Sequence, residues 1–159
     1  MPRIPVFVAC NEAIIDEQRQ NLSVISVIEK VTAMTSGTSK LPPDAAAAMQ
    51  WSAIAQFQRL PEDEGKEFEF RVDLITPSKT SALSFTGLFD ISRPNHRVVL
   101  NVTGFPIGEL GTYTLTLSLR DRSVGRDWNN WKKRAEYDIL LQHTDERSAE
   151  PARLAITSE

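Results

Sequence analysis

Five segments of the chain alternate apolar and polar residues with a period of two. In the clearest of them, Tyr113, Leu115, Leu117 and Leu119 alternate with threonine, serine and arginine. The same pattern recurs in four further segments, residues 68–74, 83–91, 98–102 and 135–141. Because successive side chains of a strand point to opposite faces of the sheet, each segment predicts a strand with one buried and one exposed face.

Three earlier segments, residues 4–10, 22–33 and 51–57, carry apolar residues on both faces. Within residues 22–33, for example, Ile25 and Val27 lie on the face opposite Val24. Strands that are buried on both faces show this pattern. We therefore expect either another part of the chain or another chain to cover the second face, and Ile25 and Val27 to mark a self-association surface.

These segments make about eight strands, separated by turn-forming residues such as Arg93-Pro94-Asn95. Many short strands without alternating long helices predict an all-β fold, a mainly antiparallel β-sandwich. One short helix is expected over residues 43–50, because proline suits a first helical turn and alanine is a good helix former. Residues 1–143 form the single predicted domain. Residues 144–159 mix charge with serine, alanine and proline, which predicts a disordered tail.

Composition narrows the class of protein. The 159 residues include 18 basic and 21 acidic side chains, for a net charge of −3. That balance argues against a nucleic-acid partner, which would favour a basic excess. A single cysteine excludes an intrachain disulfide framework and a multi-cysteine zinc site. The chain has no apolar run long enough to span a bilayer and no secretory signal at its start. We therefore expect a soluble, cytoplasmic protein with no membrane partner.

Counting strands predicts which loops meet. If eight strands alternate in direction, residues 11–21, 61–66, 92–96 and 121–133 share one end of the sandwich. End loops on a rigid sandwich are the usual place for recognition. The candidate partner-binding residues at this end are Arg122, Arg126, Asp127, Trp128 and Trp131.

The two tryptophans of this group have different settings. Trp131 fits the alternation of residues 135–141 extended backwards, which favours a role in capping the core. Trp128 lies outside that alternation in a polar loop. It is either an exposed anchor for a partner or a side chain that folds back onto the sandwich edge.

Binding of a ligand or of calcium through the acidic loops at the same end is the alternative function. Asp121 and Asp127, with Asp63 or Asp90, could supply the oxygen ligands that calcium needs. Arginines neighbour two of these aspartates and no aspartate-x-aspartate spacing occurs. A solvated surface of mutually paired loop charges is therefore the favoured interpretation, and no metal site is predicted.

Catalytic chemistry is third among the functions considered. His96 and His143 lie near neither a nucleophile elbow nor a cysteine, and Cys10 ends a strand, where a buried inert thiol is usual. The glycines are scattered singly, without a phosphate loop or dinucleotide fingerprint. We expect no catalytic site and no cofactor.

The opening segments Val6-Phe7-Val8-Ala9-Cys10-Asn11-Glu12 and Asn21-Leu22-Ser23-Val24-Ile25-Ser26-Val27-Ile28, with Gly111-Thr112-Tyr113 later, carry a family resemblance. Over residues 4–142 the chain resembles an uncharacterised bacterial and phage family of small β proteins, a domain of unknown function. The resemblance implies a bacterial β protein and supplies no activity or functional residue. Taken together, the sequence predicts a non-enzymatic protein-interaction or structural module whose partner is another protein or a second copy, as in a homodimer.

Overall fold

A computed structural model describes residues 1–16, 18–19, 21–35, 41–123 and 130–145 of the chain. These residues form a short 3-10 helix, Pro61–Asp63, and nine strands. The strands are β1 Arg3–Asp16, β2 Asn21–Val27, β3 Lys30–Thr35, β4 Ala46–Gln58, β5 Glu67–Ile75, β6 Ser81–Asp90, β7 Asn95–Pro106, β8 Gly111–Asp121 and β9 Lys132–Asp145.

The strands form two sheets. The four-stranded sheet has the order β2-β1-β4-β7, and the five-stranded sheet has the order β3-β9-β8-β5-β6. All neighbouring strands are antiparallel except β3 and β9, which are parallel. The predicted all-β, mainly antiparallel sandwich is confirmed.

Aromatic side chains join the two sheets in a common core. Phe57 of the four-stranded sheet stacks on Phe89 of the five-stranded sheet, with ring centroids 4.4 Å apart. Phe105 contacts Trp51 within its own sheet and Tyr113 across the core, at 5.8 Å and 5.3 Å between centroids. Such pairs contribute both buried apolar area and edge or stacking geometry, and they define the inner face of each sheet.

The predicted single strand over residues 22–33 is wrong, because two strands occupy it, one in each sheet. The break lies at Ile28 and Glu29, which link the sheets: Ile28 N–H donates to the Ala9 carbonyl, and Leu140 N–H donates to the Glu29 carbonyl, both at 2.9 Å. The apolar residues change face here because the chain changes sheet. The described residues therefore form nine strands rather than the eight predicted.

The predicted helix over residues 43–50 is also wrong. Only a turn occurs near its start, closed by the Ala45 N–H bond to the Pro42 carbonyl at 3.0 Å. From Ala46 the chain is strand β4, in which Ala46 and Ala47 pair with the end of β7. The ladder with β7 supplies tertiary hydrogen bonds that outweigh the modest helix preference of a short alanine run.

Strand β9 continues to Asp145, past the predicted domain boundary at residue 143. Thr144 pairs with Met34 of β3 in the parallel ladder, which extends the strand. The rest of the predicted tail, residues 146–159, lies outside the described residues.

Candidate functional site

The β1–β2 hairpin folds back over the four-stranded sheet instead of extending from it. Cys10 pairs with Ser52, so a straight β1 would place Ile15 opposite Ala47, roughly 26 Å from Arg97 at the strand rise of about 3.3 Å. Ile15 instead lines the same cavity as Arg97. The strand must therefore turn back between Cys10 and Ile15.

The bend in the two strands of the hairpin coincides with an unusual backbone conformation in β2. Ser26 has a φ of +53°, in the left-handed region that non-glycine residues seldom adopt. In the hairpin register Cys10 pairs with Val27 and Glu12 with Ile25, which places Ser26 opposite Asn11. A local change of strand direction at this point lets the hairpin cross the outer face of the sheet.

The outer face of the four-stranded sheet is covered as a result. Ile54 points away from the core formed by its neighbours Ala53 and Ala55, yet it is fully buried. Ser52, on the same outer face, is buried too and donates a hydrogen bond to Asn101 Oδ1 at 2.9 Å. Part of the chain thus covers the second face of β4, one of the two possibilities that its two-sided apolar pattern left open.

The hairpin itself exposes apolar side chains to solvent. Ile14, Ile25 and Val27 have exposed fractions of 46%, 41% and 48%. Ile25 pairs with Glu12 and Ile14 pairs with Ser23, so Ile14 and Ile25 are diagonal neighbours on one face. We call these three side chains the hairpin patch. It contains both residues that the sequence predicted for self-association, and it adds Ile14, which the sequence analysis missed.

The loop end of the sandwich gathers the connections β4–β5, β6–β7 and the start of β8–β9. Arg59 N–H donates to the Pro94 carbonyl at 2.9 Å, and Lys66 Nζ lies 3.8 Å from Asp121 Oδ2. The folded hairpin brings Ile15 to this end as well. The sequence predicted that these loops share one end, from a count of eight strands that alternate in direction. In the structure the β1–β2 hairpin reaches this end because it folds back over the sheet.

A polar cavity of about 710 Å³ opens at the loop end. The described residues that line it are two arginines, a histidine, an aspartate, an asparagine, a serine and an isoleucine: Arg93, Arg97, His96, Asp90, Asn95, Ser92 and Ile15. Neither arginine was among the partner-binding residues predicted from the sequence. Their positions in the sequence could have indicated a shared site, because Arg93 lies on the Arg93-Pro94-Asn95 turn and Arg97 lies near the start of β7.

His96, in the lining of this cavity, has a lowered pKa. Its ring stacks on Phe89 with centroids 4.9 Å apart. Burial lowers the pKa of His96, and the nearby Asp90 carboxylate raises it in partial opposition. The imidazole is therefore held toward its neutral form, in which one ring nitrogen can accept a hydrogen bond.

Trp131 does not cap the core, contrary to the favoured interpretation of its sequence position. It lies on the outer face of the five-stranded sheet, where the guanidinium groups of Arg71 and Arg120 stand 4.8 Å and 4.7 Å from its ring centroid. The ladder is irregular here: Leu117 pairs with Ala135, but the next pair joins Ser118 to Lys133. This β-bulge reverses the alternation and turns Trp131 outward.

The remaining predicted partner-binding residues are only partly described. Arg122 is exposed, and its backbone N–H donates to the Glu67 carbonyl at 3.0 Å. Arg126, Asp127 and Trp128 lie outside the described residues. The structure therefore places Arg122 and Trp131 near the ends of β8 and β9 and leaves the prediction for this group standing.

Asp63, Asp90 and Asp121, the described acidic residues that were considered for calcium, have other partners. Asp63 is buried, with its Oδ1 2.8 Å from the Met1 amino group, and its Oδ2 accepts the Leu60 N–H at 3.3 Å. Asp121 faces Lys66. Within the described residues no group of three or more histidine, cysteine or acidic side chains is arranged to hold a metal ion.

The residues considered for catalysis are also apart. Burial raises the pKa of the Cys10 thiol, whose sulfur lies 3.7 Å from the Ser52 carbonyl oxygen. A buried thiol of raised pKa is a poor nucleophile. His143 lies at the end opposite His96, with its Nε2 3.3 Å from the Ile107 carbonyl oxygen. These three side chains do not form one site.

Comparison with protein-family models gives no match to this chain. Comparison with curated proteins gives no match either. Across the described ranges, no helix has the length and hydrophobicity that a membrane span requires.

Proposed function

We propose that the chain is a non-enzymatic, cytoplasmic protein-interaction module that associates with a second copy of itself. The observation that carries the proposal is the hairpin patch, Ile14, Ile25 and Val27, which stays exposed although Ser52 and Ile54 of β4 are buried. Single exposed apolar residues are ordinary on protein surfaces, whereas large contiguous apolar patches mark interaction sites.

The edge strand beside the patch supports a partner that adds a strand. β2 is at the edge of the four-stranded sheet, and its sequence, Asn-Leu-Ser-Val-Ile-Ser-Val, contains no charge and no proline. Edge strands of monomers are usually protected by lysine, proline or strong twist, because their unpaired N–H and C=O groups can pair with another chain. β2 has its backbone kink only near its end, at Ser26.

A second copy is the occupant that this surface fits. Two β2 strands placed antiparallel about a two-fold axis bring the same residues together from both copies, which is the requirement of an isologous interface. The hairpin patches then join into one apolar surface, in the way that cross-strand neighbours pack within a sheet. With a net charge of only −3 on each copy, electrostatic repulsion between them is weak.

The test compares two matched substitutions of exposed apolar residues on edge strands. Ile25→Lys places a charge in the hairpin patch, and Leu88→Lys places one on β6, the edge of the other sheet, where Leu88 is 61% exposed. Light scattering coupled to size-exclusion chromatography measures the mass of each, and circular dichroism measures the fold.

We expect the wild-type chain and Leu88→Lys to elute as dimers and Ile25→Lys as a folded monomer. A wild-type chain that remains monomeric at the highest soluble concentration contradicts the proposal. So does equal dissociation by both substitutions. If Ile25→Lys unfolds, Val27→Lys repeats the test at the neighbouring position of the patch.

A further inference from the structure

We propose that the loop-end cavity between β6 and β7 binds a small organic anion, through the guanidinium groups of Arg93 and Arg97. The cavity is distinct from the hairpin patch, and the inference does not depend on self-association. It rests on the charge, the donor geometry and the size of the cavity lining.

The described part of the lining is rich in positive charge. Among the lining residues that the structure describes, two guanidinium groups accompany one carboxylate, that of Asp90, whose Oδ1 already accepts a hydrogen bond from the Ser92 hydroxyl at 3.1 Å. Arg93 makes no ion pair with any residue in the described part of the chain. Each guanidinium carries five N–H donors in a planar fork that matches a carboxylate or a phosphate group.

The backbone of the β6–β7 connection and the Arg97 guanidinium are held in place before any ligand arrives. Arg59 fixes the β6–β7 connection twice: its backbone N–H donates to the Pro94 carbonyl at 2.9 Å, and its guanidinium donates to the Ser92 carbonyl at 3.4 Å. The Arg97 Nε donates to Gln56 Oε1 at 3.4 Å, which orients that guanidinium. A site whose groups are ordered in advance binds a ligand without the entropy loss of ordering them.

The size of the cavity selects the class of anion. About 710 Å³ lies in the range of pockets that hold small organic molecules, and it exceeds what an inorganic oxyanion would fill. A second, smaller cavity of about 360 Å³ shares Arg93, Asn95 and Arg97, so anionic groups can approach these residues from two sides. Ile15 supplies an apolar wall, and Asn95 and His96 supply further polar groups. The ligand is thus an organic body bearing a phosphate or carboxylate group.

The two histidines of the chain provide a built-in probe. His96 lines the cavity, and His143 lies at the opposite end of the sandwich as an internal control. Their imidazole resonances are followed by proton–nitrogen correlation spectra while the full chain is titrated, in separate experiments, with glycerol phosphate, with succinate and with inorganic phosphate. Potassium chloride keeps the ionic strength constant, since screening alone shifts exposed charges.

Three substitutions complete the design. Arg93→Gln and Arg97→Gln each remove one guanidinium from the lining, and Lys30→Gln removes an exposed cation from β3 as the matched control. We expect a saturable shift of His96, without a shift of His143, for at least one of the organic anions. The apparent affinity falls at least tenfold in both arginine variants and stays unchanged in Lys30→Gln.

Comparison of the three probes identifies the anionic group. Saturation by glycerol phosphate and inorganic phosphate, but not by succinate, assigns a phosphate-bearing ligand. Saturation by succinate alone assigns a carboxylate. The proposal is overturned if neither organic anion gives a saturable His96 shift, if either arginine variant retains full affinity, or if His143 shifts in parallel. None of these results depends on the oligomeric state.

Discussion

The ring of Phe70 on β5 packs over Gly87, its cross-strand partner on β6. A Cβ atom added at Gly87 would lie 2.5 Å from Cε1 and Cζ of that ring, far inside van der Waals contact. Phe70 is itself buried in the core, where its neighbours limit the space into which it could move. The absence of a side chain at residue 87 therefore permits the aromatic packing of the five-stranded sheet.

Substitution Gly87→Ala is expected to lower the free energy of unfolding by about 1–3 kcal/mol, the usual cost of overpacking. Alanine otherwise suits a strand interior better than glycine, so a loss must come from the clash with Phe70. Urea denaturation measures the change. The double substitution Gly87→Ala with Phe70→Leu should cost less than the sum of the single substitutions, and strict additivity would show that the two positions do not interact.

Trp131 is expected to stabilise the fold through its two arginine contacts. Substitution Trp131→Ala removes both cation–π interactions, each worth about 0.5–1 kcal/mol at an exposed site, and we expect a loss of about 1–2 kcal/mol in unfolding free energy. Trp131→Phe should recover part of that loss because the ring face remains. A Trp131→Ala protein of unchanged stability that loses binding to a partner would instead support the partner-binding prediction.

Many of the strands were predictable because one face of the sheet is buried in the core and the other is exposed to solvent. Segments such as β5 and β8 show this alternation directly in the sequence, and the structure contains them with nearly the predicted bounds. Where one segment of the chain passes from one sheet to the other, the alternation of apolar and polar residues no longer identifies a single strand. Residues 22–33 look continuous because the change of sheet at Ile28 and Glu29 replaces one buried face by another.

The candidate sites were harder to predict because they depend on backbone irregularities. The outward position of Trp131 results from the bulge between Leu117 and Ser118, and a bulge leaves no reliable mark in a single sequence. The fold-back of the hairpin depends on the left-handed conformation of Ser26. Without these two features, neither the exposure of the hairpin patch nor the presence of Ile15 in the loop-end cavity follows from residue order.

Ile54 tests whether the hairpin covers the outer face of the sheet. Substitution Ile54→Ala should lower the free energy of unfolding by about 2–5 kcal/mol, because the side chain is fully buried and its removal leaves a cavity. Ile14 lies in the hairpin and is exposed. Ile14→Ala should therefore change the unfolding free energy by about 0.5 kcal/mol or less, measured in the monomeric Ile25→Lys variant. Equal small losses at both positions would contradict the fold-back of the hairpin.

The stability of the chain is expected to fall as the pH drops through the titration of His96. Burial lowers the pKa of His96 below its usual value of about 6.5, although Asp90 opposes the shift. Between the two pKa values the unfolded chain binds the proton and the folded chain does not. The stabilising contribution is therefore complete above about pH 6.5 and is lost as the pH falls through the folded-state pKa.

Urea denaturation at pH values of about 7.5, 6.5 and 5.5 measures this dependence before most carboxylates titrate. Buffers without phosphate or carboxylate are needed, because an anion bound beside Arg93 and Arg97 would favour the imidazolium form of His96 and reduce the shift. His96→Phe preserves an aromatic ring that can stack on Phe89 and should flatten the profile over this range. A slope that persists unchanged in His96→Phe would contradict the prediction.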